Sequence, residues 1–405
     1  MGFSRRQFLK STGLGFLAFG LPPSFLLRAA EAQSMGKGKV LVVVFQRGGM
    51  DGLNAVIPFK DKAYYLLRPS IAIAEPAAAD DRAIDLDGFY GLHPALAPLK
   101  TIFDAAHLAI VHASGSSDNT RSHFDAQDYM EIGTPGVKNT SDGWLNRYLK
   151  EHLRKASPFR GVAVTPQLPR ILAGSAPALT VSAIGEFRLR HEAMAGSLQK
   201  LYASSTDPLF RFGGENLFAA MSELRQLESK IPPSKETYPV GRFGTGLSQI
   251  ARLIRADVGL EVAFTEVEGW DTHVNQGGAT GQMANRLKIL SDGLLAFYRD
   301  LGDRLEDVVL VTMSEFGRTA RENGNRGTDH GHANVMFVLG GPVRGGKVCG
   351  RWPGLAPELL YEGRDLDLTT DFRSVYGEVI ARHLGQKDLS RIFPGYRPVA
   401  PLGLL

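Results

Sequence analysis

The run Val40-Leu41-Val42-Val43-Val44-Phe45 is apolar at every position and mostly β-branched. A strand with one wet face alternates apolar and polar residues; a strand without alternation is buried on both faces, as in a parallel sheet covered by helices on each side. Similar runs recur at 108–111, 162–165, 260–264, 308–312 and 335–339. Helical spacing marks 94–106, 124–131, 144–155, 216–230, 244–256, 281–301 and 372–384, with Leu287, Leu290, Leu294, Leu295 and Tyr298 the clearest apolar stripe. This order predicts an α/β fold with a central, mostly parallel sheet and helices on both faces. Residues 184–240 carry no strong strand and end in Ile231-Pro232-Pro233-Ser234, which reads as a helical insertion or cap within one domain spanning 33–405. Residues 66–92, rich in Ala, Asp and Pro, read as an irregular excursion.

Residues 1–32 have a different logic. Ser4-Arg5-Arg6-Gln7-Phe8-Leu9-Lys10 fills each position of the twin-arginine export consensus, and a weakly apolar stretch without acids follows. Ala30-Glu31-Ala32 supplies the small-x-small site for a signal peptidase. The stretch is shorter than the roughly 20 apolar residues of a membrane span, and Pro22-Pro23 breaks it. The expectation is therefore export by the twin-arginine translocase to the periplasm or beyond, with no stable membrane span. Most of the formal charge of +4 belongs to this segment. Without Arg5, Arg6, Lys10, Arg28 and Glu31 the remainder is nearly neutral, which argues against nucleic acid as a partner. The single cysteine, Cys349, excludes an internal disulfide and a cysteine-ligated iron–sulfur cluster, and so weakens an exported redox enzyme as a reading.

In an open α/β sheet the working residues gather outside the carboxyl ends of strands. Polar clusters sit beside five of the strand runs. The first is Gln46-Arg47-Gly48-Gly49-Met50-Asp51-Gly52-Leu53-Asn54, where Asp51 is a candidate metal ligand or the acid of a tight turn. The second is Asn119-Thr120-Arg121-Ser122-His123-Phe124-Asp125. Ser122 and Asp125 fit a capping box, and a hydroxyl of Ser122 or Thr120 at a helix N-terminus is a candidate nucleophile with Arg121 as an oxyanion holder. The third, Gly269-Trp270-Asp271-Thr272-His273, places Asp271 and His273 on one face of extended chain, as ligands of one metal or as a structural pair. The fourth, Ser314-Glu315-Phe316-Gly317-Arg318-Thr319, offers Glu315 as ligand or base and Arg318 as an anion clamp, or the two as an ion pair closing a turn. The fifth, Gly327-Thr328-Asp329-His330-Gly331-His332, packs Asp329, His330 and His332 into four residues and is the strongest local signal for a metal. Of the ten histidines, His93, His107, His112, His152, His191 and His383 fall in helix or strand contexts and take structural roles.

Taken in order, these motifs resemble the exported bacterial family called domain of unknown function 1501, over nearly the whole chain after residue 32. That family is similar to a distant branch of the alkaline phosphatase and sulfatase superfamily. The resemblance implies a metal-dependent hydrolase of phosphate or sulfate esters acting on a small anionic substrate. It implies Asp51 as first-strand ligand, Ser122 or Thr120 as nucleophile, Asp271 and His273 on one metal, and His330 or His332 as the late histidine. The implied ion is divalent, zinc first, then manganese, calcium or magnesium. Glu315-Phe316 stands where the superfamily places an Asp-His pair, so a histidine ligand of the second metal is missing unless another cluster supplies it, and the sulfatase Cys-x-Pro-x-Arg signature is absent around Cys349. The alternative function is a periplasmic binding or assembly protein that keeps the fold without turnover.

Overall fold

The central strand of the main sheet is Val40–Arg47 (β1), in a computed structural model that describes residues 38–151, 157–182, 195–207 and 233–405, with Arg211, Gly214, Phe218 and Ser222. Next come Val56–Ile57 (β2), Ile84–Asp85 (β3) and Gly91–Leu92 (β4), which pair among themselves as a small three-stranded sheet. The main sheet continues with Leu108–Gly115 (β5), Gly161–Ala163 (β6), Leu179–Thr180 (β7), Val262–Glu268 (β8), Val308–Met313 (β9), Asn334–Gly340 (β10), Lys347–Cys349 (β11) and Thr370–Asp371 (β12). Its order is β11-β5-β10-β9-β1-β8-β6-β7, with β12 beside β5. Every pairing is parallel except those of β10, which runs antiparallel to both β5 and β9.

The lack of alternation in β1 has its cause in two apolar layers. Val40, Val42 and Val44 face Leu247, Ile250, Leu287 and Leu290, which belong to Arg242–Arg255 and Gln282–Leu301. Leu41, Val43 and Phe45 face Trp144, Leu145, Val375 and Tyr376, from Trp144–Glu151 and Phe372–Arg382. Each such side chain contributes about 1.5–3 kcal/mol when fully buried. This strand therefore anchors both cores. The α/β expectation holds, with a mostly parallel sheet covered on both faces.

The helix His123–Ile132 (α1) starts at Ser122, whose side chain accepts from the Asp125 amide, and stops at Gly133 in the left-handed region. The region 66–92 contains little regular structure beyond β3 and β4. Most of 184–240, expected as an insertion, lies outside the described residues, as do residues 1–32, expected as an export signal; the described part of 184–240 includes the helix Ala195–Ala203. Lys39–Leu405 make one compact unit. Among the described residues no helix is long and apolar enough to cross a membrane.

Topology sets the position of the site. Parallel strands β1, β5, β8 and β9 end at the same edge, and the antiparallel β10 begins there. All five polar clusters therefore converge.

Two buried histidines away from this edge make acid stability predictable. His112 stacks on Tyr90 and places Nε2 3.0 Å from the Val56 carbonyl, while His383 lies 3.1 Å from the Val40 carbonyl. Burial pushes both rings down to about 4. A depressed histidine resists protonation in the folded state while the unfolded chain still takes the proton. Stability is thus full above the unfolded value and falls as pH drops from about 6.5 toward 4, by roughly 1.4 kcal/mol per pKa unit for each ring. Urea unfolding between pH 7.5 and 4.5 should show this slope, and His112→Gln should flatten it; an unchanged slope would refute the assignment.

Candidate metal centre

Three loops are drawn together by one guanidinium. Arg318, just after β9, is 1% exposed. Its Nε donates to the Gly49 carbonyl at 2.5 Å, Nη1 to the Thr328 carbonyl at 3.2 Å, and Nη2 to the Trp270 carbonyl at 3.0 Å, to the Gly48 carbonyl and to Asp271 Oδ1 at 2.7 Å. The planar, five-donor fork of arginine suits such a junction and lysine would not. The packing demands glycine at position 48, where φ is +119° and a Cβ would stand 2.8 Å from the Asp271 amide.

Around Asp271 Oδ1 three imidazoles present the same atom. His330 Nε2 lies 3.2 Å away, His273 Nε2 3.0 Å and His123 Nε2 3.4 Å. His273 and His330 place their Nε2 atoms 3.0 Å apart. Ligand atoms of His123, Asp271 and His330 all lie within 4.8 Å of one another. The far nitrogens explain why. His123 Nδ1 meets Glu315 Oε1 at 2.6 Å, His273 Nδ1 meets Asp329 Oδ1 at 3.0 Å, and His330 Nδ1 meets the Arg121 carbonyl at 2.8 Å. Each of these partners accepts, so each neutral ring carries its hydrogen on Nδ1 and turns an Nε2 lone pair inward. His123 Nε2 is buried and makes no hydrogen bond. Converging lone pairs that face a carboxylate and lack a donor fit a divalent cation, and carboxylate or carbonyl partners on the outer nitrogen are the usual support of histidine ligands.

The charges agree with this geometry. Burial opposes ionisation of Glu315, but hydrogen bonds from His123 and Gln127 outweigh it and hold the carboxyl below its usual range. The bond to Glu315 raises His123 in turn, against the effect of burial. Burial also opposes ionisation of Asp271, yet the bond and charge of Arg318, with His273 and His123, hold it at about 2. His330 is lowered by burial and by the nearby charges of His123 and Arg318, although the Arg121 carbonyl and Asp271 pull the other way. Asp329, despite burial, is lowered by Asn323 and His273.

A profile of the family described as protein of unknown function (DUF1501) matches residues 107–392, more than half of the chain. The chain belongs to this DUF1501 family. No curated protein matches it in sequence. Among solved structures it is similar to the lipoteichoic acid synthase LtaP from Listeria monocytogenes, at 9% identity over 78% of this chain and 68% of that one, with a TM-score of 0.35. It is similar to the C-terminal periplasmic domain of EcEptC from Escherichia coli, in complex with Zn, at 9% identity over 76% and 74%, TM-score 0.35. The PsFucS1 sulfatase from Pseudoalteromonas sp. gives 12% identity over 80% and 66%, TM-score 0.33.

In this DUF1501 chain the sequence-selected residues divide into groups. Asp271, His273 and His330 meet at the cluster. Glu315, expected as ligand or base, and Asp329, expected as ligand, instead meet the outer nitrogens of His123 and His273. His332 is also displaced from expectation, because the backbone turns its ring against Tyr361, 4.3 Å between centroids. Asp51 is a larger correction. It is buried against Arg68, with Nη1 2.5 Å from Oδ2, and Gln276 Nε2 donates to the same oxygen at 2.6 Å. Arg318 cannot clamp a substrate anion as expected, since its side chain is 0% exposed and its donors are already engaged. Arg121 likewise directs Nε and Nη2 to Asp365 and Glu362. Ser122 caps α1, and Thr120 Oγ1 accepts from the Ser122 amide at 3.2 Å. Phe316, which stands beside Glu315 in sequence, packs on His123 and His330, with centroids 4.8 and 4.9 Å apart.

Sequence reading missed three participants. His123 was grouped with the second cluster without a ligand's role. Gln127 lies one helical turn beyond it and donates to Glu315 Oε1 at 2.9 Å. Arg68 lay within the supposed excursion. Of the histidines given structural roles, His152 and His191 lie outside the described residues.

The Arg68–Asp51 pair is braced by Asn54, Ala320 and Thr319, so removing one partner strands the other in a dry interior. Arg68→Met should cost about 3–5 kcal/mol in denaturant unfolding. The double variant with Asp51→Asn should lose less than the sum of the single changes. A cost below about 1 kcal/mol for Arg68→Met would show that the pair does not carry this part of the fold.

Proposed function

We propose that the protein is an exported, metal-dependent hydrolase of phosphate or sulfate esters, with its ion held by His123, His273, His330 and Asp271. The observation that carries the reading is the set of inward Nε2 atoms, each fixed by an acceptor on Nδ1. Nitrogen donors with a carboxylate favour zinc among the divalent ions. When bound, such an ion supplies Lewis-acid polarisation of an ester oxygen. The chain's own groups bind and orient. Glu315 and Asp329 fix two imidazole tautomers, and Arg318 holds the Asp271 carboxylate in place by charge and hydrogen bond. Ser122 and Thr120 stand at the N-terminus of α1, where free amides and the helix dipole favour an anionic group. The nucleophile is one of these hydroxyls or a water. Export rests on Ser4 to Lys10 and the apolar stretch after it.

A second reading, a binding or assembly protein without turnover, has one specific observation in its favour. Arg318, and Arg121 through Nε and Nη2, already serve carbonyls or acids, which leaves little of either guanidinium for the oxyanion of a transferring group.

Protein purified without a metal-binding tag should contain about one equivalent of divalent metal by elemental mass spectrometry, and His123→Ala or His273→Ala should lose it. Protons compete for the same lone pairs, so retention should fall as pH drops through the raised range of His123. Folded wild type that holds no metal and takes up no added zinc would overturn the hydrolase reading. If an ester is cleaved, unchanged rates in Ser122→Ala and Thr120→Ala would leave water as the nucleophile; metal loading without cleavage of any ester tested would favour the binding protein.

A further inference from the structure

His123, Gln127 and Glu131 recur every fourth residue on one stripe of α1, directed at the carboxyl edge of the sheet. Glu131 accepts from Arg47 Nη2 at 2.9 Å and from the Ile171 amide at 2.9 Å. Arg47 also donates through Nε to Glu266 at 2.5 Å and stacks over Phe45, 4.4 Å from the ring centroid. It is held on several sides. Its remaining Nη1 donates to Gln127 Oε1 at 2.9 Å, while Gln127 Nε2 donates to Glu315 Oε1 at 2.9 Å. These partners permit one orientation of the amide. A flip would set oxygen against a carboxylate and NH2 against a guanidinium.

Glu315 Oε1 receives three donors, His123 Nδ1, the Gly48 amide and Gln127 Nε2. The Gly48 amide is fixed by the turn after β1. The amide of Gln127 is the one donor in this group tied back to a rigid charged frame through a side chain.

We propose that Gln127 is a positioning residue: anchored by Arg47, it fixes the Glu315 carboxylate, and Glu315 in turn fixes the Nδ1–H tautomer of His123 with Nε2 facing Asp271. The consequence for metal affinity rests on the metal reading above. The consequence for the tautomer does not. Gln127 touches neither the ion's position nor, by this account, any substrate, so its effect passes entirely through His123.

The test uses the full mature protein, as wild type, Gln127→Leu and Gln127→Glu. Gln127→Leu removes both hydrogen bonds at similar volume. Gln127→Glu keeps the shape but replaces the donor facing Glu315 with a second carboxylate. A space-filling role would leave Gln127→Glu close to wild type; the positioning role makes it at least as damaging as Gln127→Leu. Two readouts are taken on samples whose thermal melting confirms folding. The first is nitrogen-15 NMR of the His123 imidazole in metal-free protein, assigned by its loss in His123→Ala. In alkaline buffer, where the ring is neutral, wild type should show the Nδ1–H tautomer, and both variants should show it mixed or lost. The second is zinc affinity by competition with a chromophoric chelator, which should weaken about 10–100-fold in both variants. A wild-type tautomer in both variants would overturn the proposal whatever the metal result. A changed tautomer in a protein that binds no zinc would uphold positioning and remove the metal reading instead. Should one variant fail to fold, the other decides.

Discussion

The site depends on the burial of Arg318. Its fork reaches carbonyls at Gly48, Gly49, Trp270 and Thr328 and the carboxylate of Asp271, and so ties the turn after β1, the turn after β8 and the approach to β10 into one structure. A buried guanidinium without acceptors would be prohibitively costly, which means the loops cannot move apart singly. That rigidity is what allows histidines from three segments of chain to meet within hydrogen-bonding distance. Gln276 reinforces the junction from beneath: its Oε1 accepts from Thr272 at 2.9 Å and Thr328 at 2.7 Å, each next to a residue of the centre, and its Nε2 reaches Asp51. Asp51 thus serves the centre through its frame, paired with Arg68 rather than directed at a ligand.

Around the junction the electrostatics are layered. Carboxylates of Glu315 and Asp329 and the Arg121 carbonyl lie outside the imidazoles, and Asp271 lies among them. The outer acceptors orient the rings; the inner lone pairs are left to face one another. In water alone this would be an unfavourable arrangement, because lone pairs at 3.0 Å with no donor repel. A cation between them would turn the same arrangement into a stable one. Phe316 limits what else can bind, since its ring fills the flank of His123 and His330.

Much of this was legible in the chain. The unalternating β1 run predicted a sheet buried on both faces, and both layers are present, Val42 to one side and Val43 to the other. The gathering of clusters at strand ends followed from parallel pairing. What could not be read was the direction of β10, because the continuous apolar run at 335–339 looks the same either way. Its antiparallel course brings His330, which precedes the strand, to the edge where His273 follows one. Nor could spacing distinguish a ligand from the residue that holds it. Glu315 and Asp329 have the chemistry of ligands, and only the fold sets them against the outer nitrogens of His123 and His273. The stripe of His123, Gln127 and Glu131 was present in the helical period but carried no apolar signal to draw attention to it.

The most direct test of the central claim is X-ray absorption at the zinc edge on the zinc-loaded protein. The account predicts three imidazole nitrogens at about 2.0–2.1 Å and one carboxylate oxygen, with a further solvent oxygen at the position an ester oxygen would take. A spectrum dominated by water or carboxylate oxygen, with fewer than two imidazoles, would contradict it.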